Sequence, residues 1–152
     1  MFEYNPKAWT PPDPEFRDRV MKKIDGNAFM HFVGFEVISV EAGKVICELT
    51  LRPEHFQQFG RVHGGVVVTI ADIVAGFAAY TSTPKGIDVV TGEIKVSFFR
   101  PGTGQKLVAV GTVVKPGKTI TFAEADVYSV DNGEITHIAR ANTSMVNINR
   151  EQ

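Results

Sequence analysis

One segment constrains the fold of this chain more than any other, because residues Gly64–Tyr80 carry a single charged side chain, Asp72. The apolar residues of the segment fall on every side of a helical wheel, and a helix that is apolar all round is a buried helix. The β-branched run Val66–Thr69 would also suit a strand. We favour a helix because the segment is long, opens on a glycine pair and is rich in alanine in its second half.

The segments on both sides of this helix have the pattern of antiparallel strands. Upstream, Phe35–Glu41 and Lys44–Leu51 flank the turn signal Ala42-Gly43, and apolar residues alternate along the second segment. Downstream, turn signals at Pro116-Gly117 and Asp131–Gly133 divide the chain. Four further strands are predicted there: Asp88–Phe99, Lys106–Lys115, Thr119–Ser129 and Glu134–Asn147.

The N-terminal part of the chain is predicted to hold one helix behind an irregular arm. Residues Met1–Pro14 include four prolines and form the arm. Residues Glu15 to about Met30 carry a modest apolar stripe at helical spacing, with Asp13-Pro14 as a start signal and Gly26 as an interruption. Between the hairpin and the long helix, Pro53–Val62 is predicted to be a loop.

The order of helix, two strands, long helix and four strands indicates an α+β fold in one domain, residues 1–152. Consecutive hairpins produce an antiparallel sheet. A curved sheet of about six strands wrapped around the long helix is the simplest arrangement that buries most of that helix. The part of the helix that one sheet leaves uncovered favours contact with a second copy of the chain.

Composition and charge exclude several classes of protein. A hydrophobic fraction of 43% and a charged fraction of 22% are those of a folded globular chain and not of a disordered one. Lysine and arginine total 16 against 17 aspartate and glutamate, which argues against a nucleic-acid partner but allows a local basic rim. The apolar stretches are too short to span a membrane and no signal peptide is recognised, so we expect a cytoplasmic protein without a membrane partner.

Cysteine and histidine usage gives no sign of a metal or redox site. The one cysteine, Cys47, cannot form an internal disulfide, and its apolar neighbours in a predicted strand place it in the core. The four histidines lack the spacing of zinc ligands. We therefore expect no metal and no cofactor.

Asp72 and the glycine pair at the start of the predicted helix are the first candidates for chemistry. A helix N-terminus offers unpaired N–H groups and the positive end of the macrodipole, and Gly64 would let a carbonyl approach closely and hold the oxyanion that forms there. The alternative is that Gly64 only permits a tight entry into the helix. Asp72 has two possible roles. In a structural role, it hydrogen-bonds a backbone group or a side chain of the sheet. In a catalytic role, it acts as a general base or as a nucleophile.

The spacing of Gly64 and Asp72 indicates a site built from two chains. Their separation of eight residues spans about 12 Å of helix, too far for one carbonyl to contact both groups of the same chain. Two antiparallel copies of the helix, related by a two-fold axis, would bring Gly64 of one copy near Asp72 of the other. We therefore expect a homodimer with two composite sites, which could pair further into a homotetramer.

The residues around this pair resemble those of a known family. Phe59–Gly65, with the sequence FGRVHGG, is followed after six residues by Asp72, and this resembles the HGG-and-acid signature of hotdog-fold acyl-CoA thioesterases. It is most similar to the branch of the phenylacetic-acid-pathway and Arthrobacter-type 4-hydroxybenzoyl-CoA thioesterases. Thr91–Pro101 resembles the third strand of that family, and Val113–Thr119 resembles its next turn. The resemblance implies a hotdog fold, hydrolysis of acyl-CoA to free acid and coenzyme A (CoA), and the same dimer.

The resemblance also implies roles for residues near the helix. Gln57 matches a position that carries Asn or Gln and orients the water or the thioester, with Gln58 as the alternative in register. His63 could act as a base, although in this signature its ring more often bonds the loop backbone. Thr91 matches a Ser or Thr that helps to hold the nucleophilic water. The Arthrobacter-type branch has a Thr where this chain has Gly76, so that task would fall to Thr91.

The positions of CoA and of the acyl group follow from the same resemblance. Arg100, Lys115 and Lys118 match strand ends and turns where the family contacts the nucleotide, although each could be an ordinary surface charge. The acyl pocket is expected between the paired helices and the sheet. Its mixture of small and aromatic side chains suits a short- to medium-chain or aryl acyl group. The expected walls are Phe56, Phe59, Val68, Ile73, Phe77 and Val90.

Two other functions compete with a thioesterase. A hotdog protein that binds acyl-CoA without hydrolysing it would not need Asp72 and Gln57. A hydratase or dehydratase of this fold uses a His–acid pair placed differently, and the sequence has no matching element. Release of thiol from a panel of acyl-CoA esters separates an enzyme from a binding protein.

Overall fold

The computed structural model describes residues 9–150. Within this range the chain forms three helices and six strands, with a 3-10 turn at Pro53–His55 before the long helix. The helices are α1 (Phe16–Asp25), α2 (Ala28–Val33) and α3 (Gly64–Tyr80). The strands are β1 (Phe35–Glu41), β2 (Lys44–Thr50), β3 (Ile87–Phe98), β4 (Lys106–Lys115), β5 (Ile120–Asp131) and β6 (Glu134–Asn149).

The six strands form one antiparallel sheet in the order β1-β2-β4-β5-β6-β3, and α3 packs across one face of it. The predicted α+β architecture is therefore confirmed. Strand β3 lies at the edge beside β6, although β4 follows it in the chain. The edge position leaves the outer side of β3 without a partner strand within the part of the chain described.

The predicted bounds of α3, β1 and β4 agree with the structure, and the ends of the other strands differ by one or two residues. These elements are delimited by strong local signals, such as the glycine pair that begins α3 and Pro116-Gly117 after β4. The predicted loop Pro53–Val62 includes the 3-10 turn and a single β-bridge between Phe56 and Val62.

The prediction of one N-terminal helix from Glu15 to Met30 is wrong, because the chain forms two helices there. Helix α1 ends before Gly26, where glycine disfavours continuation. Asn27 then caps α2, as its side-chain oxygen accepts a hydrogen bond from the Met30 N–H at 3.0 Å. Gly34, with a φ of 96°, ends α2 in the left-handed conformation.

The predicted N-terminal arm falls only partly within the described residues. Residues 1–8, like residues 151–152, lie outside them, and residues 9–14 contain neither helix nor strand. Asp13 at the end of this arm is buried and forms an ion pair with Arg19 of α1, with 2.6 Å between Oδ2 and Nε. This pair joins the arm to α1, and Arg19 also donates a hydrogen bond to the Thr83 carbonyl at 2.6 Å, which ties α1 to the chain after α3.

Helix α3 is fully buried only on the side that faces the sheet, so part of the helix is left uncovered, as the sequence predicted. The buried residues recur at helical spacing and face the sheet, and Gly111 of β4 lies directly against the backbone of α3. A Cβ at Gly111 would lie 2.2 Å from the Val74 carbonyl oxygen, so only glycine fits at this crossing. The opposite side of α3 is half-buried: Val66, Val68, Thr69, Asp72, Ile73, Gly76 and Phe77.

Candidate active site

Asp72 meets Thr91 across the gap between α3 and β3. The Thr91 hydroxyl donates a hydrogen bond to Asp72 Oδ1 at 2.7 Å, which holds the carboxylate in one orientation. Within residues 9–150 the second oxygen, Oδ2, has no hydrogen-bond partner. Asp72 is half-buried rather than fully buried as expected, because it lies on the side of α3 that the sheet does not cover.

A bulge in β3 positions Thr91. Thr91 pairs with Met145 and Glu93 pairs with Ser144, so Gly92 is an extra residue in the edge strand. A Cβ at Gly92 would lie 2.8 Å from a methyl group of Val146, which glycine avoids. Bulges of this kind change the direction of neighbouring side chains. The bulge thus explains how an edge-strand threonine reaches a helix carboxylate.

A cavity of about 460 Å³ begins at this pair and continues along α3 toward its C-terminus. Its volume is that of an ordinary small-molecule site. A Cβ at Gly76, on its wall, would meet no atom within 4 Å, so glycine here leaves room for a ligand. The lining residues are Lys23, Asn27, Asp72, Ile73, Gly76, Phe77, Tyr80, Asp88, Val89, Val90, Thr91 and Ile148.

Half of the residues expected to line the acyl pocket lie on this cavity. Ile73, Phe77 and Val90 contribute to its walls. The other three do not line it: Phe56, Phe59 and Val68. The Phe59 side chain is 79% exposed on the loop before α3. These three residues lie toward the other end of the helix, next to its N-terminus.

The N-terminus of α3 presents a free amide. His63 is the N-cap, and its Nδ1 accepts a hydrogen bond from the Gly65 N–H at 2.9 Å. The Gly64 N–H has no acceptor among residues 9–150, and Gly64 is exposed beside the ring of Phe98. The His63 ring therefore organises the helix start and leaves the Gly64 amide, at the positive end of the helix dipole, open to a ligand.

Gln57 lies in the tight loop that precedes α3. Its side-chain oxygen accepts a hydrogen bond from the Phe59 N–H at 2.5 Å, and its own N–H donates to the Arg61 carbonyl at 2.8 Å. The neighbouring Gln58 is exposed. Gln57 is thus near the Gly64 end of α3, and it does not line the cavity that holds Asp72 and Thr91.

A single chain therefore separates the expected site residues into two groups. Gln57, His63 and Gly64 lie at the start of α3, whereas Asp72 and Thr91 lie two turns further along. The eight-residue helical separation of Gly64 and Asp72 is present in the structure and corresponds to about 12 Å.

The expected CoA-binding cations are also separated. Arg100 donates a hydrogen bond to the His137 carbonyl at 3.1 Å, whereas the Lys118 carbonyl accepts one from the Asn147 side chain at 3.1 Å. His137 and Asn147 are ten residues apart on β6, or about 30 Å along the strand. Lys115, at the end of β4, lies with Lys118 at the second of these places. No one CoA phosphate can contact both places in one chain.

Comparison with known proteins identifies the family. Residues 59–136 match the family described as Thioesterase superfamily. The chain belongs to the thioesterase superfamily. Over 100 residues it is 30% identical to acyl-coenzyme A thioesterase 13 of Homo sapiens, an alignment that covers 65% of this chain and 71% of that protein.

Solved structures share the fold of this thioesterase. A thioesterase family protein from Silicibacter pomeroyi is 28% identical, with a TM-score of 0.87 and coverage of 88% of this chain and 98% of that chain. The E. coli PaaI protein from the phenylacetic acid degradation operon is 19% identical, with a TM-score of 0.78 and coverage of 88% of this chain and 94% of that chain. The second likeness concerns the fold alone. The predicted hotdog fold and the predicted thioester hydrolase are confirmed.

The thioesterase buries its cysteine, as the sequence indicated. Cys47 of β2 is fully buried in the core, and burial raises the pKa of its thiol to about 12. The thiol is therefore neutral and inaccessible, which excludes it as a nucleophile. Residues 9–150 hold no cluster of three or more potential metal ligands, and none of their helices is long and apolar enough to cross a membrane.

Sequence reasoning missed the residues at the far end of the thioesterase cavity. Tyr80 is eight residues after Asp72 on α3, so helical spacing could have placed it on the same side. Lys23 and Asn27 reach the cavity because α1 packs beside α3 and Asn27 follows α1 closely. Asp88 reaches it because β3 also packs against α3. No local pattern of the sequence indicates those tertiary contacts.

Proposed function

We propose that this thioesterase hydrolyses acyl-CoA esters with short- to medium-chain or aryl acyl groups, giving the free acid and CoA. The observation that carries the proposal is the Asp72–Thr91 hydrogen bond on the wall of a cavity large enough for an acyl group. The likeness to an acyl-coenzyme A thioesterase supports CoA esters as the substrate class. Within the superfamily, we assign the chain to the branch of the phenylacetic-acid-pathway and 4-hydroxybenzoyl-CoA thioesterases.

Asp72 supplies the reacting carboxylate in this proposal. Thr91 binds one oxygen, and the free Oδ2 faces the substrate. As a general base, Asp72 takes a proton from a water whose oxygen bonds the thioester carbon, and the C–S bond then breaks to release CoA after protonation of its sulfur. As a nucleophile, it would form an anhydride and release CoA first, and water would then hydrolyse the anhydride. Both routes place a negative charge on the thioester oxygen.

The Gly64 amide stabilises that charge, and it comes from a second copy of the chain. The amide is free and lies at a helix N-terminus, which is the arrangement that binds an oxyanion. In one chain it is about 12 Å from Asp72, so the carbonyl bridges two antiparallel α3 helices. His63 acts by capping this helix, and Gln57 of the adjacent loop orients the thioester or the water.

Two surfaces of the monomer support this homodimer. The side of α3 away from the sheet is half-buried and mostly apolar, and a second α3 would cover it. Strand β3 has a free edge, and three large apolar residues near it are exposed: Val90 at 46%, Phe98 at 53% and Phe99 at 48%. Exposed apolar edges of this kind favour pairing with another chain. In the dimer, Arg100 of one copy and Lys115 with Lys118 of the other contribute to the CoA sites.

The experiment that tests the function measures thiol release from a panel of acyl-CoA esters by the wild type, Asp72→Asn and Asp18→Asn. Asn keeps an acceptor for Thr91 but cannot take a proton, so we expect kcat to fall about 100- to 10,000-fold. Asp18 is exposed on α1, away from the cavity, and serves as the matched control with wild-type activity. Binding of the esters without thiol release by the wild type would show a non-catalytic acyl-CoA-binding protein instead.

A further inference from the structure

The far end of the cavity carries charge that the proposed hydrolysis does not use. Asp72 and Thr91 stand at one end, and the walls beyond them are the apolar side chains of Ile73, Phe77 and Val89. The cavity then ends among the polar residues Lys23, Asn27, Tyr80 and Asp88. An acyl group that fills it would place its last atoms among these polar groups.

The length of the cavity sets the length of that acyl group. Tyr80 is eight residues from Asp72 on α3, a rise of about 12 Å, and Asp88 is three residues from Thr91 on β3, about 10 Å. Lys23 of α1 lines this same space. A medium-length acyl chain spans it, whereas an acetyl group would leave the polar end empty.

The charges at the far end do not cancel. Lys23 Nζ lies 2.9 Å from Asp88 Oδ1, and Arg150 contacts Asp88 Oδ2, so two cations share one carboxylate. Burial opposes ionisation of Asp88, yet the hydrogen bonds from Arg150 and Lys23 leave its pKa below the ordinary value, and it is ionised at neutral pH. Arg19 is neutralised separately by Asp13 at 2.6 Å. The cluster of Lys23, Asp88 and Arg150 therefore keeps one net positive charge.

The groups left over at this end are hydrogen-bond donors. Both oxygens of Asp88 are taken by cations, and the Asn27 side-chain oxygen accepts the Met30 N–H. The Asn27 amino group and the Tyr80 hydroxyl have no hydrogen-bond partner among residues 9–150. Lys23 retains donors beyond the one that Asp88 accepts. A ligand group that accepts hydrogen bonds and carries negative charge would satisfy this wall.

Tyr80 ties the cations to the cavity wall. Its side chain is 8% exposed, and its ring lies under the Arg19 guanidinium at 4.6 Å and the Lys23 ammonium at 5.6 Å. Such cation–π contacts hold long, flexible side chains near an aromatic ring. Lys23 is therefore held at the cavity between Tyr80 and Asp88 rather than extended into solvent.

We propose that this thioesterase prefers acyl groups whose far end is a carboxylate, that is, the CoA monoesters of medium-length dicarboxylic acids. The proposal rests on the proposed function, because it assigns the acyl group of the same site. The ω-carboxylate accepts hydrogen bonds from Lys23 and Asn27, and the methylene chain lies along Ile73 and Phe77.

The test compares kcat/KM for suberyl-CoA and octanoyl-CoA, which have chains of equal length and differ in the ω-carboxylate. We expect suberyl-CoA to be favoured about tenfold or more, the effect of one charge-assisted hydrogen bond. Lys23→Met keeps the apolar stem and removes the charge, so it should lower kcat/KM for suberyl-CoA about tenfold more than for octanoyl-CoA. Lys44→Met, an exposed lysine of β2 outside the cavity, is the control and should keep the wild-type preference.

Three results would overturn the proposal while leaving the proposed function intact. Octanoyl-CoA could be hydrolysed as well as suberyl-CoA by the wild type. Lys23→Met could lower kcat/KM equally for both esters, which would assign the cations to CoA itself. 4-Hydroxybenzoyl-CoA could exceed suberyl-CoA, which would assign the donors to a phenolic hydroxyl. Hydrolysis of no ester in the panel would instead contradict the proposed function.

Discussion

The two sides of α3 differ in what they contribute to the molecule. The side that faces the sheet holds fully buried residues such as Ile70 and Val74, and it closes the core. The opposite side holds Asp72, Ile73 and Gly76, which remain half-buried and line the cavity. The same apolar helix therefore supplies stability on one side and the site on the other. Substitutions on the two sides should separate stability from activity.

After Asp72→Asn, the largest effect is expected at the start of the helix, from Gly64→Pro. Proline is favoured at the first position of a helix, and His63, at φ −61° and ψ 133°, has the extended conformation that precedes proline. The substitution thus removes the N–H with little cost to folding. We expect kcat to fall about 100- to 1,000-fold, as for loss of an oxyanion donor, while the melting temperature stays close to that of the wild type.

Gly64→Ala is the control for that experiment. It keeps the N–H, and its Cβ would lie 3.6 Å from the Phe98 ring, an ordinary contact. Because the amide is kept, activity well above that of Gly64→Pro is expected. If Gly64→Pro were as active as Gly64→Ala, the amide would have no part in the reaction.

A pair of isoleucines compares the two sides directly. Ile70→Ala opens a void under the sheet and should lower the free energy of unfolding by about 2–5 kcal/mol with kcat unchanged for the folded fraction. Ile73→Ala, on the half-buried side, should cost about 1–2 kcal/mol and raise KM, because it enlarges the acyl cavity. Chemical denaturation and steady-state kinetics measure both quantities. Equal effects of the two variants on KM would contradict the division.

The smallest effect is expected on the outer face of strands β5 and β6, where Asp126 alternates with the buried residues that face α3. Hydrogen bonds from Arg140 lower the pKa of Asp126 in the folded state. The ionised carboxylate therefore stabilises the folded state at a pH above the pKa that Asp126 has in the unfolded chain. This stabilisation is lost as the pH falls through the lower pKa of the folded state. Asp126→Asn should reduce stability at neutral pH by less than about 1 kcal/mol, since Arg140 is exposed and solvent screens the pair. Chemical denaturation should show that the difference in free energy of unfolding between the wild type and Asp126→Asn shrinks below about pH 3. A difference that does not change with pH would contradict the role of the ionised carboxylate.

The sequence predicted α3 and β4 well because composition and turn residues delimit them locally. It predicted that the sheet would leave part of α3 uncovered but not which residues, because an apolar side chain packs equally well against a sheet or against a second chain. The N-terminal segment is divided into two helices by Gly26 and by the cap at Asn27. The prediction of one helix failed because the apolar stripe at helical spacing continues across both residues.

The residues of the candidate site could be predicted from the sequence, but the contacts between them could not. Asp72, Gly64 and Thr91 could be named from the helix pattern and the family resemblance. The contact of Thr91 with Asp72 depends on the bulge at Gly92 and on the edge position of β3, which are properties of the sheet as a whole. The polar end of the cavity depends on the packing of α1 beside α3, and residues such as Lys23 carry no local signal of it.

The most direct test of the shared site mixes two inactive variants. Asp72→Asn chains keep Gly64, and Gly64→Pro chains keep Asp72, so a mixed dimer has one intact composite site and one that carries both changes. After unfolding and refolding together, random pairing should restore about a quarter of the wild-type activity. If differently tagged copies of the two variants are isolated as mixed dimers and show no activity above the separate variants, Gly64 and Asp72 do not act across two chains.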